Sequence, residues 1–199
     1  MNTKQLSLIA LLGAPFLCIG VYVEANYTPL GNSWWTGVWG LLYITGWMAS
    51  LEALRRLKLA GSGRFGNRII GVVLATLTMA NVSNVWQLIA PTYKPLLFTV
   101  LDIGWPVSNV LMLGVGVAVL RAKRLQGWQR WVPLAVGAWF PLTMTVSRTP
   151  IVLHFSNLYS AIAWTLLAVV VLSESVQQQR AHVISGIAIR DDFTQVTTP

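Results

Sequence analysis

The chain has 199 residues, of which 55% are apolar and only 10% charged, with a formal net charge of +8 and ten tryptophans. A water-soluble domain carries about a quarter charged residues, so this composition excludes a soluble globular fold and points to a single membrane domain. A nucleic-acid partner is excluded too, because Lys and Arg are confined to joints and tails instead of covering a face of a soluble module.

A helix needs about 20 apolar residues to cross the hydrocarbon. Six runs of roughly that kind follow one another, at residues 5–24, 34–54, 69–90, 96–120, 132–149 and 154–173. They lack the polar alternation of barrel strands, and a lipid-exposed backbone must satisfy its hydrogen bonds within each segment. The expected fold class is all-α, an integral membrane bundle of six transmembrane helices. Residues 1–176 form the transmembrane domain and 177–199 a polar cytoplasmic C-terminal tail, whose start is expected to prolong the last helix and whose remainder has too little apolar content to fold alone.

The first run has the layout of a signal peptide, with Lys4 ahead of the apolar stretch and small residues near Ala25, and is read as the first helix. An outer joint from Glu24 to Ser33 leads into the second run. The basic joint that follows contains Gly61-Ser62-Gly63-Arg64-Phe65-Gly66, which matches the dinucleotide-binding pattern by letter but follows no strand, and is read as a flexible loop. Pro91-Thr92-Tyr93-Lys94-Pro95 makes a tight outer turn, since proline cannot continue a helix interior. Ser147-Arg148-Thr149-Pro150 is the only break between the fifth and sixth runs.

Of the fourteen Lys and Arg, all but Lys94 and Arg148 lie in the basic joints at 55–68 and 121–130 or in the two tails. Positive charge near helix ends stays cytoplasmic on insertion, which puts both termini inside and suits a multi-pass protein of the bacterial inner membrane. Anionic lipid at the cytoplasmic face is the expected counter-charge, worth about 1 kcal/mol per juxtamembrane cation. A faint repeat pairs Ala53, Arg56, Lys58, Leu77, Thr78 and Met79 with Ala118, Arg121, Lys123, Leu142, Thr143 and Met144 at one offset, a pattern compatible with duplicated helical hairpins.

Ionisable groups inside a span need a partner or a wet cavity. Asp102 falls ~9 Å below the outer boundary and Arg148 within ~6 Å of it, at 1.5 Å per helical residue, so the two are expected to meet. Asn81 and Asn84 share a face of the third span, His154 and Asn157 open the sixth, and Asp102, Trp105 and Asn109 share a face of the fourth, where Pro106 frees a backbone carbonyl. Two readings are open for this layer: an interhelical ion pair with Asn residues as hydrogen-bond glue, or an outward-facing cavity with aromatic walls.

Catalytic and metal chemistry find no support. Cys18 is the only cysteine, and His154 and His182 fall on opposite sides of the membrane, which rules out metal clusters and bis-histidine haem. Asp102 has no acidic neighbour at its depth, and no nucleophile elbow accompanies Asp102, His154 and Ser160.

The stretch from Thr28 to Tyr43, with Val38-Trp39 and Leu42-Tyr43, resembles the second-helix signature of the tryptophan-rich sensory or translocator (TspO) family. Asn84 and Trp86 are similar to that family's third-helix Asn and Trp, and Arg124-Leu125-Gln126-Gly127, Val132-Pro133 and Trp139-Phe140 to its approach to the fifth helix. The chain departs from the pattern in its sixth run, in lacking a proline pair before the second helix, and in having Thr145 to Arg148 where the family has an Asn. The resemblance implies a tetrapyrrole, a sterol or a similar flat apolar molecule bound between helices.

The resulting expectation is a non-catalytic protein that binds a small, largely apolar ligand. Asp102, Arg148 and His154 with Asn81, Asn84, Asn109 and Asn157 would hold its polar end, and Trp39, Trp86, Trp105 and Trp139 would stack on it. Alternatives are a small transporter or channel using Asp102, and a structural subunit whose small-residue face at Ala10 and Ala14 would serve contacts in a homo-oligomer or larger complex.

Overall fold

A computed structural model gives the architecture. It describes the backbone at residues 1–146 and 150–195 and the side chains at 1–145 and 155–181. The side chains of Arg148 and His154, and the break at 147–149, therefore lie outside the described residues.

The described chain is all-α, in eight α-helices with short 3-10 turns between them. Asn2 and Gln5 cap each other's backbone N–H groups to start α1 (Thr3–Gly13). Pro15 has no N–H to continue that ladder, so the first run bends into a second helix, α2 (Phe16–Asn26). Ser33 caps α3 (Trp34–Arg56) by accepting from the Trp35 N–H at 3.1 Å. α4 (Arg64–Ile89) begins five residues before the expected span, because helix geometry continues past the apolar layer. The Arg64-Phe65-Gly66 half of the glycine-rich joint is its first turn and not loop.

The fourth run is likewise two helices, α5 (Leu96–Asp102) and α6 (Gly104–Ala122), with Pro106 one turn beyond the break. α7 spans Val132–Val146 and α8 Pro150–Gln195. The helical backbone thus continues through the start of the polar tail, as expected, and on to Gln195. Extending an existing helix needs no new nucleus, whereas folding alone would.

Four stretches, Thr3–Asn26, Arg64–Ile89, Leu96–Ala122 and Phe155–Ala181, are long and apolar enough to cross a membrane. This is a membrane-embedded helical protein. α3 and α7 fall outside that set: α3 carries Glu52, Arg55 and Arg56 among its Trp, Tyr and Gly residues, and α7 has 15 residues.

The helices pack in chain order, α1–α2 on α3, α3 on α4, α4 on α5–α6, α6 on α7 and α7 on α8, and α8 closes the ring against α1 and α2 while touching α3. α1 and α3 cross at Gly13 and Gly46: a Cβ on Gly13 would fall 2.6 Å from the Leu42 carbonyl oxygen and 2.7 Å from the Gly46 Cα. Ala10 and Ala14 are buried in this packing. The small-residue face expected to serve contacts with other chains is therefore consumed within the chain.

At the Met1 end, Glu52 pairs with Arg55 at 2.8 Å and Arg56 at 2.7 Å. The two basic joints are neighbours there, since a Cβ on Gly61 would meet that of Ala122 at 3.3 Å. Lys58 and Lys123, equivalent in the faint repeat, both adopt left-handed backbone, at φ of 53° and 51°. Ala53 and Ala118 are both buried, but Leu77 is buried where Leu142 is exposed. The likeness holds at the turns and stops in the helices that follow.

Candidate functional site

At the opposite, Glu24 end of the bundle, a cavity of about 200 Å³ opens between α3, α4 and the α5–α6 break. Helical spacing places Thr36, Trp39, Gly40 and Tyr43 on one face of α3, Ala80 and Asn84 one turn apart on α4, and Asp102 and Trp105 on either side of the break. These residues line it together.

Trp39 is fixed from behind. One face of its pyrrole ring lies on Gly20 of α2, where a Cβ would sit only 2.2 Å from the ring. Its indole N–H donates to Glu24 Oε1 at 2.9 Å, and the Thr36 hydroxyl donates to the same oxygen at 2.5 Å. A carboxylate accepting two hydrogen bonds therefore sets the ring's position. Gln87 ties α4 to the start of α3 by donating to the Ser33 carbonyl at 3.1 Å.

On the facing wall, Asn84 lies directly over Gly40, where a Cβ would fall 2.4 Å from the amide oxygen. Asp102 is exposed, with one carboxylate oxygen 3.3 Å from the Ser83 hydroxyl, which also lies 2.8 Å from the Ala80 carbonyl. Trp105 stands edge-on to Phe140 and Trp139, with centroids at 5.4 and 6.2 Å.

Tyr43 is 2% exposed and forms the floor. Its hydroxyl lies among the side chains of Trp105, Trp164 and Ser160, yet makes no hydrogen bond with a described residue. Beneath it, Trp47 and Trp164 pack at 4.4 Å. Among the described residues, no Lys or Arg lines this cavity. Lys94 at the same end is turned to the Asn32 amide oxygen and lies 5.2 Å from the Phe98 ring.

The structure thus brings Trp39, Asn84, Asp102 and Trp105 to one cavity and places Trp86, Asn81, Asn109, Trp139 and Asn157 elsewhere, while Arg148 and His154 lie outside the described residues. Trp86 faces away, stacked on Tyr93 and donating to its carbonyl at 2.9 Å. Asn81 reaches Thr45 Oγ1 at 3.3 Å and lines a second cavity, of about 480 Å³, that runs between α1, α3 and α4 toward Met1 and Glu52. Asn84 Nδ2 and Asn81 Oδ1 are 3.5 Å apart, so the two cavities adjoin at this pair.

Asn109 is buried and does not line this cavity. Its amide turns back to the Trp105 carbonyl at 2.9 Å, below the cavity. Trp139 stands behind Trp105 and donates to the Ser156 carbonyl at 2.7 Å, and Asn157 is buried on α8.

Sequence reasoning missed Glu24, Thr36, Tyr43 and Ser83. The spacing of Thr36 and Tyr43 from Trp39 was a usable signal. Nothing local marks Glu24, whose partners lie on the next helix.

No group of three or more His, Cys, Asp or Glu that could hold a metal occurs among the described residues. A volume of about 200 Å³ is also below the roughly 300–1,000 Å³ of pockets for drug-sized ligands. No protein-family model matches the chain, and neither the curated proteins nor the solved structures include a match.

Proposed function

We propose that the protein is a non-catalytic, six-span membrane protein that holds a small ligand with an apolar body in the cavity at its Glu24 end. Both termini and the two basic joints would lie in the cytoplasm of a plasma membrane, following the positive charge at the Met1 end. Fusing reporters of compartment after Glu24 and after Arg180 tests this, with opposite sides expected. The observation that carries the binding reading is the convergence of three aromatic side chains with Asn84 and Asp102 on one cavity.

A cysteine at the rim reports occupancy directly. In a Cys18→Ser background, Thr36→Cys should react with a water-soluble maleimide. Small neutral, anionic and cationic molecules screened against it should include some that slow the reaction saturably, and Trp105→Leu should abolish that protection. If none protects, the cavity is not a binding site.

A second reading, a transporter, draws on the contact between Asn84 in one cavity and Asn81 in the other, and on the matched left-handed turns at Lys58 and Lys123. It predicts flux of the protecting molecule into proteoliposomes, lost in Asn81→Leu; a pure binder shows protection without flux.

A further inference from the structure

We infer that the ligand is an organic cation, a small ammonium bearing apolar substituents, held by the Asp102 carboxylate among the rings of Trp39, Tyr43 and Trp105. This inference rests on the binding reading above and names the ligand class. The lining supplies negative charge from Asp102 and none of the described cations to balance it.

The remaining wall is aromatic, and ring faces attract cations through their quadrupoles, best in Trp and more strongly where water is excluded. With one face of Trp39 against Gly20, the other is left to the cavity. The Trp39 N–H donates to Glu24, which pushes electron density into the indole and makes its face a better cation acceptor. Glu24 is therefore a positioning residue, outside the lining yet acting through Trp39.

The Tyr43 side chain closes the floor, with its hydroxyl itself buried. A carboxylate and three aromatic side chains suit a cation with methyl or methylene groups around its nitrogen. An anionic ligand would meet Asp102 with like charge, and a purely hydrocarbon ligand would leave its charge met, among the described residues, by the Ser83 hydroxyl alone.

The test uses the full chain in lipid nanodiscs and the Thr36→Cys protection readout, with two probes of nearly one shape. These are choline and dimethylbutanol, in which carbon replaces the ammonium nitrogen. Choline should protect at least about tenfold more tightly than the alcohol. Asp102→Asn should remove that advantage while leaving alcohol binding unchanged. Glu24→Gln should weaken choline several-fold, and Trp105→Phe less than Trp105→Leu.

Equal binding of the two probes, or choline binding indifferent to Asp102→Asn, overturns the cation inference while the binding reading stands. Failure of choline, where a neutral or anionic molecule protects, does the same. Absence of protection by any probe sinks both. Near-wild-type melting of Asp102→Asn and Trp105→Phe separates these outcomes from misfolding.

Discussion

Two aromatic clusters sit one above the other in this bundle and behave differently. Around Trp39 and Trp105 the rings line an open cavity, and the Trp39 N–H is bonded to Glu24. One turn deeper, Tyr43 closes the cavity floor and packs on Trp47 and Trp164, which pack against each other and whose indole N–H groups have no partner among the described residues. Residue type alone does not separate a wall from a core. What separates them is the acid behind the ring and the cavity that the ring faces.

The comparison breaks most visibly at Trp47. Trp47→Ala should cost about 3–5 kcal/mol, by loss of ring contacts and the void left behind, read as reduced stability in mixed-micelle unfolding followed by fluorescence. Trp39→Phe should cost about 2 kcal/mol, because it removes a hydrogen bond to a charged acceptor. Its signature is recovery of most of the loss in the double variant Glu24→Gln/Trp39→Phe, where the two effects are coupled. Trp47→Phe should be the mildest, about 1 kcal/mol, since it deletes a buried N–H that bonds nothing described and costs mainly volume. A larger loss for Trp47→Phe than for Trp39→Phe would reverse the assignment of the two clusters.

Much of the fold can be read from the chain because hydrophobic length and helix punctuation act locally. Pro15 lies at the first helix break and Pro106 one turn beyond the second, and Lys58 and Lys123 end their helices in matching turns. The site is only half readable for a related reason. Asn84 and Asp102 stand out as polar groups in an apolar layer, and they do reach one cavity. Asn81 belongs to the same layer but, three residues along its helix, opens onto the second cavity. Trp86 sits near Asn84 in sequence, but helix rotation turns it to Tyr93. Glu24 escaped notice because it counts as an ordinary end-of-helix acid until α2 is laid beside α3. Pairing between helices, and not composition within one, decides each of these cases.

The most direct test of a preformed opening over a closed aromatic core compares two cysteines on the same helix. In a Cys18→Ser background, Thr36→Cys at the rim and Ser50→Cys, whose native side chain is 1% exposed, are labelled with a water-soluble maleimide in nanodiscs. The account predicts fast reaction at position 36 and essentially none at position 50 until the protein is unfolded. Equal rates at the two positions, or protection of both, would contradict it.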